Sequence, residues 1–227
     1  MKKAVVLSSG GLDSTVCLGL AVQKYGRSRV TALNVYYGQR HSKEVEASKR
    51  VADYYGVERI ELDLAPCFIG GKSSLIDPAG HVPHASYHEQ YTSVGRLSTV
   101  VPFRNGLFIS AAVCMMLGRL EEKDSVDVVL GNHAGDVEHY EYPDCSMEFI
   151  NHMRVALDAG TSGAASIWSP FATCTKTEVI KQGIAIDAPL GLTWSCYMGG
   201  DVPCGRCGTC QQRAAAFRAL GITDPAL

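Results

Sequence analysis

Two periods of apolar and polar positions run along this chain, and the change from one to the other marks its elements. Ala4 to Leu7 is a short apolar run of β type, broken by Gly10-Gly11. From Leu12 to Lys24 the apolar positions recur at helical spacing, with Leu12, Val16 and Leu20 in one stripe and Cys17 and Ala21 beside it. The segment reads strand, tight turn, helix. Val30 to Tyr36 reads as a second strand, 42–55 as a helix closed by Gly56, and Arg59 to Leu64 as a third strand. This β-α-β-α-β order predicts an α/β fold, with a parallel sheet, right-handed crossovers and helices on both faces. Ligands in such folds bind beyond the carboxyl ends of the strands, where 8–13 and 36–41 lie.

Further on, 66–96 has no clean period and is rich in glycine, proline and histidine; such a stretch is functional or mobile. Its His81, His84 and His88 lack a regular pattern that would align them on a metal, and they read as loop residues. A mostly apolar helix follows from about Leu107 to Leu120, with Asn105 as its N-cap, and then a buried strand from Val126 to Leu130. A polar loop through Asp136 and Asp144 leads to a helix from about Ser146 to Leu157. Those two aspartates are caps and turn formers or substrate contacts; the residues leave both open. Thr175 and Glu178 form a capping box that opens a short helix, and Arg213 to Leu220 is a C-terminal helix.

Composition narrows the classes. At 227 residues with 46% apolar content the chain has room for one α/β domain and a small appendage. Its net charge of −2 argues against a broad nucleic-acid or membrane-binding face. No apolar run reaches the roughly 20 residues of a membrane span. No signal-peptide pattern follows Met1, so a cytoplasmic location is expected. Nine cysteines are an odd number and suit buried thiols or metal ligands better than a disulfide framework.

The chemistry concentrates in three places. Gly10-Gly11, followed by a helix N-terminus and flanked by Ser8, Ser9, Ser14 and Thr15, is a phosphate cradle: backbone N–H groups and a positive dipole end meet an anion there. It is no Walker A loop, since no lysine follows the glycines. Lys176 sits at a helix start, where a cation is unfavourable unless an anion is near. Cys196, Cys204, Cys207 and Cys210 place four soft thiolates within fifteen positions, the donor set of a closed tetrahedral Zn²⁺ site; an iron–sulfur cluster is the alternative. Cys145 shows no basic partner and reads as a structural or substrate-lining thiol rather than a nucleophile. Arg104 reads as an anion-binding guanidinium or a structural ion-pair member.

Ser9-Gly10-Gly11-Leu12-Asp13-Ser14 resembles the SGGxDS motif of the PP-loop ATP pyrophosphatases, which cleave ATP between its α- and β-phosphates and adenylate a substrate. That loop also stands with Tyr37-Gly38-Gln39-Arg40-His41, Val101-Pro102-Phe103-Arg104-Asn105, Tyr142-Pro143-Asp144-Cys145, Trp194-Ser195-Cys196-Tyr197 and the four cysteines. With these the whole chain resembles the 7-cyano-7-deazaguanine synthase family of queuosine precursor biosynthesis. The resemblance implies a Rossmann-like PP-loop domain over 1–190 and a zinc-binding region with a helix over 191–227. It implies a nucleotide-binding segment formed by Leu7, Ser8, Ser9, Gly10, Gly11, Leu12, Asp13, Ser14, Thr15, Val16 and Cys17, with adenine near Leu33 to Tyr36. Lys176 would reach the phosphates, and Arg104 and Asp13 would join it in catalysis. The implied reactants are 7-carboxy-7-deazaguanine, ATP with Mg²⁺, and free ammonia. The implied ion is one structural Zn²⁺ per chain, and the implied assembly a homodimer. Neither a nucleic acid nor a membrane partner is expected. Two other readings share the motifs: another PP-loop enzyme such as a tRNA thiolase or amide ligase, and a non-catalytic zinc-stabilised nucleotide-binding module.

Overall fold

A computed structural model describes residues 1–136 and 142–227, so the middle of the expected polar loop before residue 142 lies outside the described residues. β1 (Lys2–Leu7), β2 (Val30–Tyr36), β3 (Glu58–Asp63), β4 (Ser125–Val129) and β5 (Ala165–Trp168) form one parallel sheet in the order β3-β2-β1-β4-β5. β1 therefore lies at the centre, and the strand order reverses between β1 and β4. That reversal opens a crevice beyond the carboxyl ends of both strands.

The sheet is covered on both faces, as the apolar run of its central strand requires. Period-two alternation divides β1 between two cores. Val5 and Leu7 join Leu33, Ile109, Val128 and Ile150, while Ala4 and Val6 join Leu12, Val16, Val51 and Ile180. The first core is closed by α4 (Arg104–Leu117) and α5 (Met147–Thr161), the second by α1 (Leu12–Tyr25), α2 (Lys43–Tyr55) and α6 (Lys176–Ala185). Residues beyond 190 share these cores: Cys196, Cys207 and Cys210 lie in the first, Ala216 and Phe217 of α7 (Gly208–Ala219) in the second. Trp194 N–H donates to the Gly10 carbonyl at 2.9 Å, across the 190/191 boundary. Among the described residues no helix is long and apolar enough to cross a membrane.

Several elements differ from the sequence reading. β5 was not expected; its four residues are too few to show a period. α3 (Tyr87–Val94) lies inside the stretch read as irregular, and Ser86 with Glu89 caps it by a complete capping box. α4 starts at Arg104, and its N-cap is Phe103 in the left-handed region at φ 56°, not Asn105. The Asn105 side chain is instead directed to the Asp144 carbonyl (3.3 Å) and the Cys145 sulfur (3.2 Å). The capping acceptor comes from far along the chain: Asp144 Oδ2 takes the Asn105 backbone N–H at 2.8 Å. α7 begins five residues before Arg213, because Cys207 serves as its N-cap.

Gly10 and Gly11 differ in what they require. Gly10 has φ 82°, and a Cβ there would lie 2.4 Å from Ser48 N and 2.5 Å from Glu44 O, on the backbone of α2. Gly11 has an ordinary φ of −73°, and its Cβ would lie 3.2 Å from Ser9 Oγ. Gly10→Ala should therefore cost about 3 kcal/mol or more, the sum of left-handed strain and overpacking. Gly11→Ala should cost less than about 1 kcal/mol, since an allowed backbone gains one methyl. Denaturant unfolding of both variants checks this; equal losses would contradict it.

Candidate active site

The crevice between β1 and β4 is occupied by a cavity of about 220 Å³. One end is polar and is built by the turn after β1. Leu7, Ser8, Ser9, Gly11, Leu12, Asp13 and Ser14 face it. The other members of the expected nucleotide segment lie behind that wall. Gly10 packs on α2, the Thr15 hydroxyl donates to the Gly11 carbonyl at 2.9 Å, and Val16 and Cys17 are wholly buried. The loop is braced from within. Gly11 N–H donates to Ser9 Oγ (3.2 Å), Ser9 and Ser14 hydroxyls lie 3.2 Å apart, and Ser14 Oγ reaches the Gly11 carbonyl at 3.1 Å. Asn34 Nδ2 holds the Ser8 carbonyl at 3.0 Å from β2.

Lys176, the first residue of α6, forms an ion pair with Asp13 in the first turn of α1. The anion that a lysine at a helix start demands is thus an aspartate of the loop. Burial alone would raise the Asp13 carboxyl; Lys176, with His133 adding, overrides it and holds the group below its usual value. One oxygen, Asp13 Oδ1, is buried without a hydrogen-bond partner among the described residues. Asp136 faces the same wall, and burial raises its carboxyl. Its Oδ2 also takes the His133 backbone N–H at 2.8 Å, so it turns the loop as well as lining the cavity.

The opposite end is aromatic. Tyr37, Phe108, Tyr87, Tyr142 and Tyr197 line it, with Arg104, Glu44 and Cys145. Arg104 stacks 5.2 Å from the Tyr37 ring centre and 6.0 Å from that of Phe108, and its Nη1 lies 3.3 Å from Tyr37 Oη. Among the described residues no carboxylate lies within 4.0 Å of its nitrogens. Among the described residues Arg104 thus forms no structural ion pair. Cys145 is buried, and burial together with Asp136 and Asp144 pushes its thiol well up, away from a nucleophilic thiolate.

Behind the aromatic end the four cysteines converge. Their sulfurs all lie within 4.8 Å of one another, and a tetrahedral ion with metal–sulfur bonds near 2.3 Å needs them roughly 3.8 Å apart. Backbone N–H groups of Met198 and Cys204 point at Cys196 Sγ, and those of Arg206 and Cys207 at Cys204 Sγ. Such donors, with the N-terminus of α7 at Cys207, suit thiolates and complete a metal site. The fit is to a metal held by four sulfurs with no open position.

Comparison with known proteins decides the family. The model of queuosine biosynthesis protein QueC matches residues 3–221. The chain belongs to that family. A 7-cyano-7-deazaguanine synthase of Caldicellulosiruptor saccharolyticus is 35% identical over 98% of this chain and 94% of its own. That of Thermoplasma acidophilum is 37% identical over 99% and 91%, and 7-cyano-7-deazaguanine synthase 2 of Desulfitobacterium hafniense 40% over 99% and 92%.

In this QueC-family chain, sequence reasoning missed Glu44 and Tyr87. Glu44 is an acidic residue in the first turn of α2, a common place for one, and nothing in its spacing singles it out. Tyr87 lay in the aperiodic stretch, although Ser86-Tyr87-His88-Glu89 carries the spacing of a capping box. α3 seats Tyr87 where a Cβ on Gly208 would meet its ring at 2.7 Å, so the metal region and the cavity wall touch there.

Two predictions follow from these groups. Asp13 is depressed when folded, so it stabilises above the ordinary carboxylate value near 3.8 and loses that contribution as pH falls. Lys176→Met removes the offsetting charge; burial then raises the carboxyl. The variant should lose about 3 kcal/mol at pH 7 and markedly less at pH 3.5, read from urea midpoints. Equal losses at both pH values would contradict the ion-pair account. Cys207→Ser should remove the bound metal and destabilise the chain enough to deplete soluble protein, measured by elemental analysis and thermal melting. Retention of full stability after metal loss would overturn a structural role.

Proposed function

We propose that this protein is an ATP-dependent ligase converting 7-carboxy-7-deazaguanine and free ammonia to 7-cyano-7-deazaguanine, a queuosine precursor. The observation that carries this is the cavity's polarity. Its loop end offers N–H and hydroxyl donors beside Lys176; its aromatic end offers flat walls and a guanidinium with no carboxylate within 4.0 Å among the described residues. A triphosphate suits the first and a planar anionic heterocycle the second. Family membership supports the identity of that heterocycle, and favours this reading over a thiolase or a non-catalytic module.

A carboxylate is a poor electrophile, and ammonia cannot expel an oxide from it. Attack of the carboxylate on the α-phosphorus of ATP gives an acyl adenylate and pyrophosphate. Ammonia displaces AMP to form an amide, releasing a proton. The amide oxygen attacks the α-phosphorus of a second ATP, releasing pyrophosphate and one N–H proton, and loss of AMP with the remaining N–H proton leaves the nitrile. The backbone donors of the loop and Lys176 stabilise the departing pyrophosphate, and Arg104 orients the carboxylate by its fork. Asp13, through its unpartnered Oδ1, and Asp136 would hold Mg²⁺, which neutralises pyrophosphate charge when bound. The four cysteines would hold one Zn²⁺ away from the chemistry. The working assembly is taken to be a homodimer.

Mass spectrometry of the folded, metal-loaded protein with the acid, ATP, Mg²⁺ and ammonium tests this. The expected products are the nitrile, AMP and pyrophosphate, with the amide appearing first. ADP as the nucleotide product, or no turnover of the acid, would overturn the proposal.

A further inference from the structure

At the aromatic end stands a carboxylate that the reaction as written does not use. Glu44 is the second residue of α2 and lines the cavity wall. Among the described residues no hydrogen bond or ion pair reaches its side-chain oxygens, whereas Glu46, two residues on, accepts from Ser42 at 2.7 Å. Its position is held firmly, because its own carbonyl belongs to the stretch of α2 pressed against Gly10. Burial pushes its carboxyl up to about 7, and Arg104 draws it only part of the way back. An acceptor pair kept on a cavity wall without a donor is a group whose partner arrives with the ligand.

The rest of this end shows what that partner is. Arg104 presents a donor fork, and Tyr37 lies beside both charged groups, which act on its hydroxyl from α2 and α4. The walls take the faces of a flat ring, the arginine takes acceptors at its edge, and the glutamate takes donors. A guanine-type ring carries two parallel donors, N1–H and the 2-amino group, on one edge. A single carboxylate accepts both. An adenine-type or hypoxanthine-type ring lacks that pair.

We propose that Glu44 determines which ring this cavity accepts, by receiving the N1–H and 2-amino hydrogens of the guanine edge. The proposal rests on the functional reading above. It adds the residue that reads the ring, apart from those that act on the carboxyl group.

The test compares kcat/KM for two synthetic acids, 7-carboxy-7-deazaguanine and its analogue without the 2-amino group, in wild type and in Glu44→Gln. A charge-assisted hydrogen bond lost to the analogue corresponds to about 10- to 100-fold. Wild type should prefer the guanine acid by about that factor. In E44Q, whose amide offers one donor and one acceptor, the ratio should fall to within about threefold, the loss falling on the guanine acid. Unchanged affinity for a non-hydrolysable ATP analogue shows that the variant is folded. Equal use of the two acids by wild type overturns the proposal, as does an equal loss on both acids in E44Q. Should E44Q fail to fold, the wild-type ratio decides alone. Failure of the underlying functional reading looks different: wild type then turns over neither acid.

Discussion

The close approach of α2 to Gly10 is the constraint on which the site depends. A turn that leaves β1 and enters α1 must pass beneath another helix, and only a residue without Cβ fits between them. Because that contact is made, α2 begins at the carboxyl edge of the sheet, and Glu44 faces the cavity rather than solvent. The Gly10 carbonyl takes Trp194 N–H, which draws the cysteine-bearing segment over the loop. Gly10 is therefore better understood as a junction of three chain segments than as an opening toward a ligand. Its neighbour Gly11 keeps its donor near the cavity, on Ser9.

Charge in the site follows a simple division. Where two elements must be locked together, opposite charges meet: Lys176 joins α6 to α1 through Asp13, and buried Arg213 joins α7 to the C-terminal Asp224. On the cavity wall the charges are left apart: among the described residues Arg104 and Glu44 form no ion pair. A guanidinium on aromatic faces keeps its donors while losing much of its water, so an incoming anion gains more from it than from a solvated cation. Asp144 adds to this arrangement from outside the stack by taking the N–H of the residue after Arg104.

Much of this was legible in the sequence, for reasons that differ by residue. Strands with continuous apolar runs and the glycine-broken turn stand out because both faces of a parallel sheet are buried. The four cysteines were legible as ligands because spacing and donor softness speak together. β5 was not, since a four-residue edge strand has no room for a pattern. The N-terminus of α4 misled because its cap is long-range: Asn105 has the right chemistry for a cap, yet the acceptor is Asp144, 39 residues on. Glu44 was invisible because its half-buried place on the cavity wall is a property of the packed α2 and leaves no mark on its neighbours.

One connection extends into how the chain is made. Arg213 donates to the hydroxyls of Thr193 (2.8 Å) and Ser195 (3.1 Å) while paired with Asp224, and Trp194 between them holds Gly10. The loop after β1 is thus completed by residues some two hundred positions further along the chain. A nascent chain carries the motif long before it carries the site.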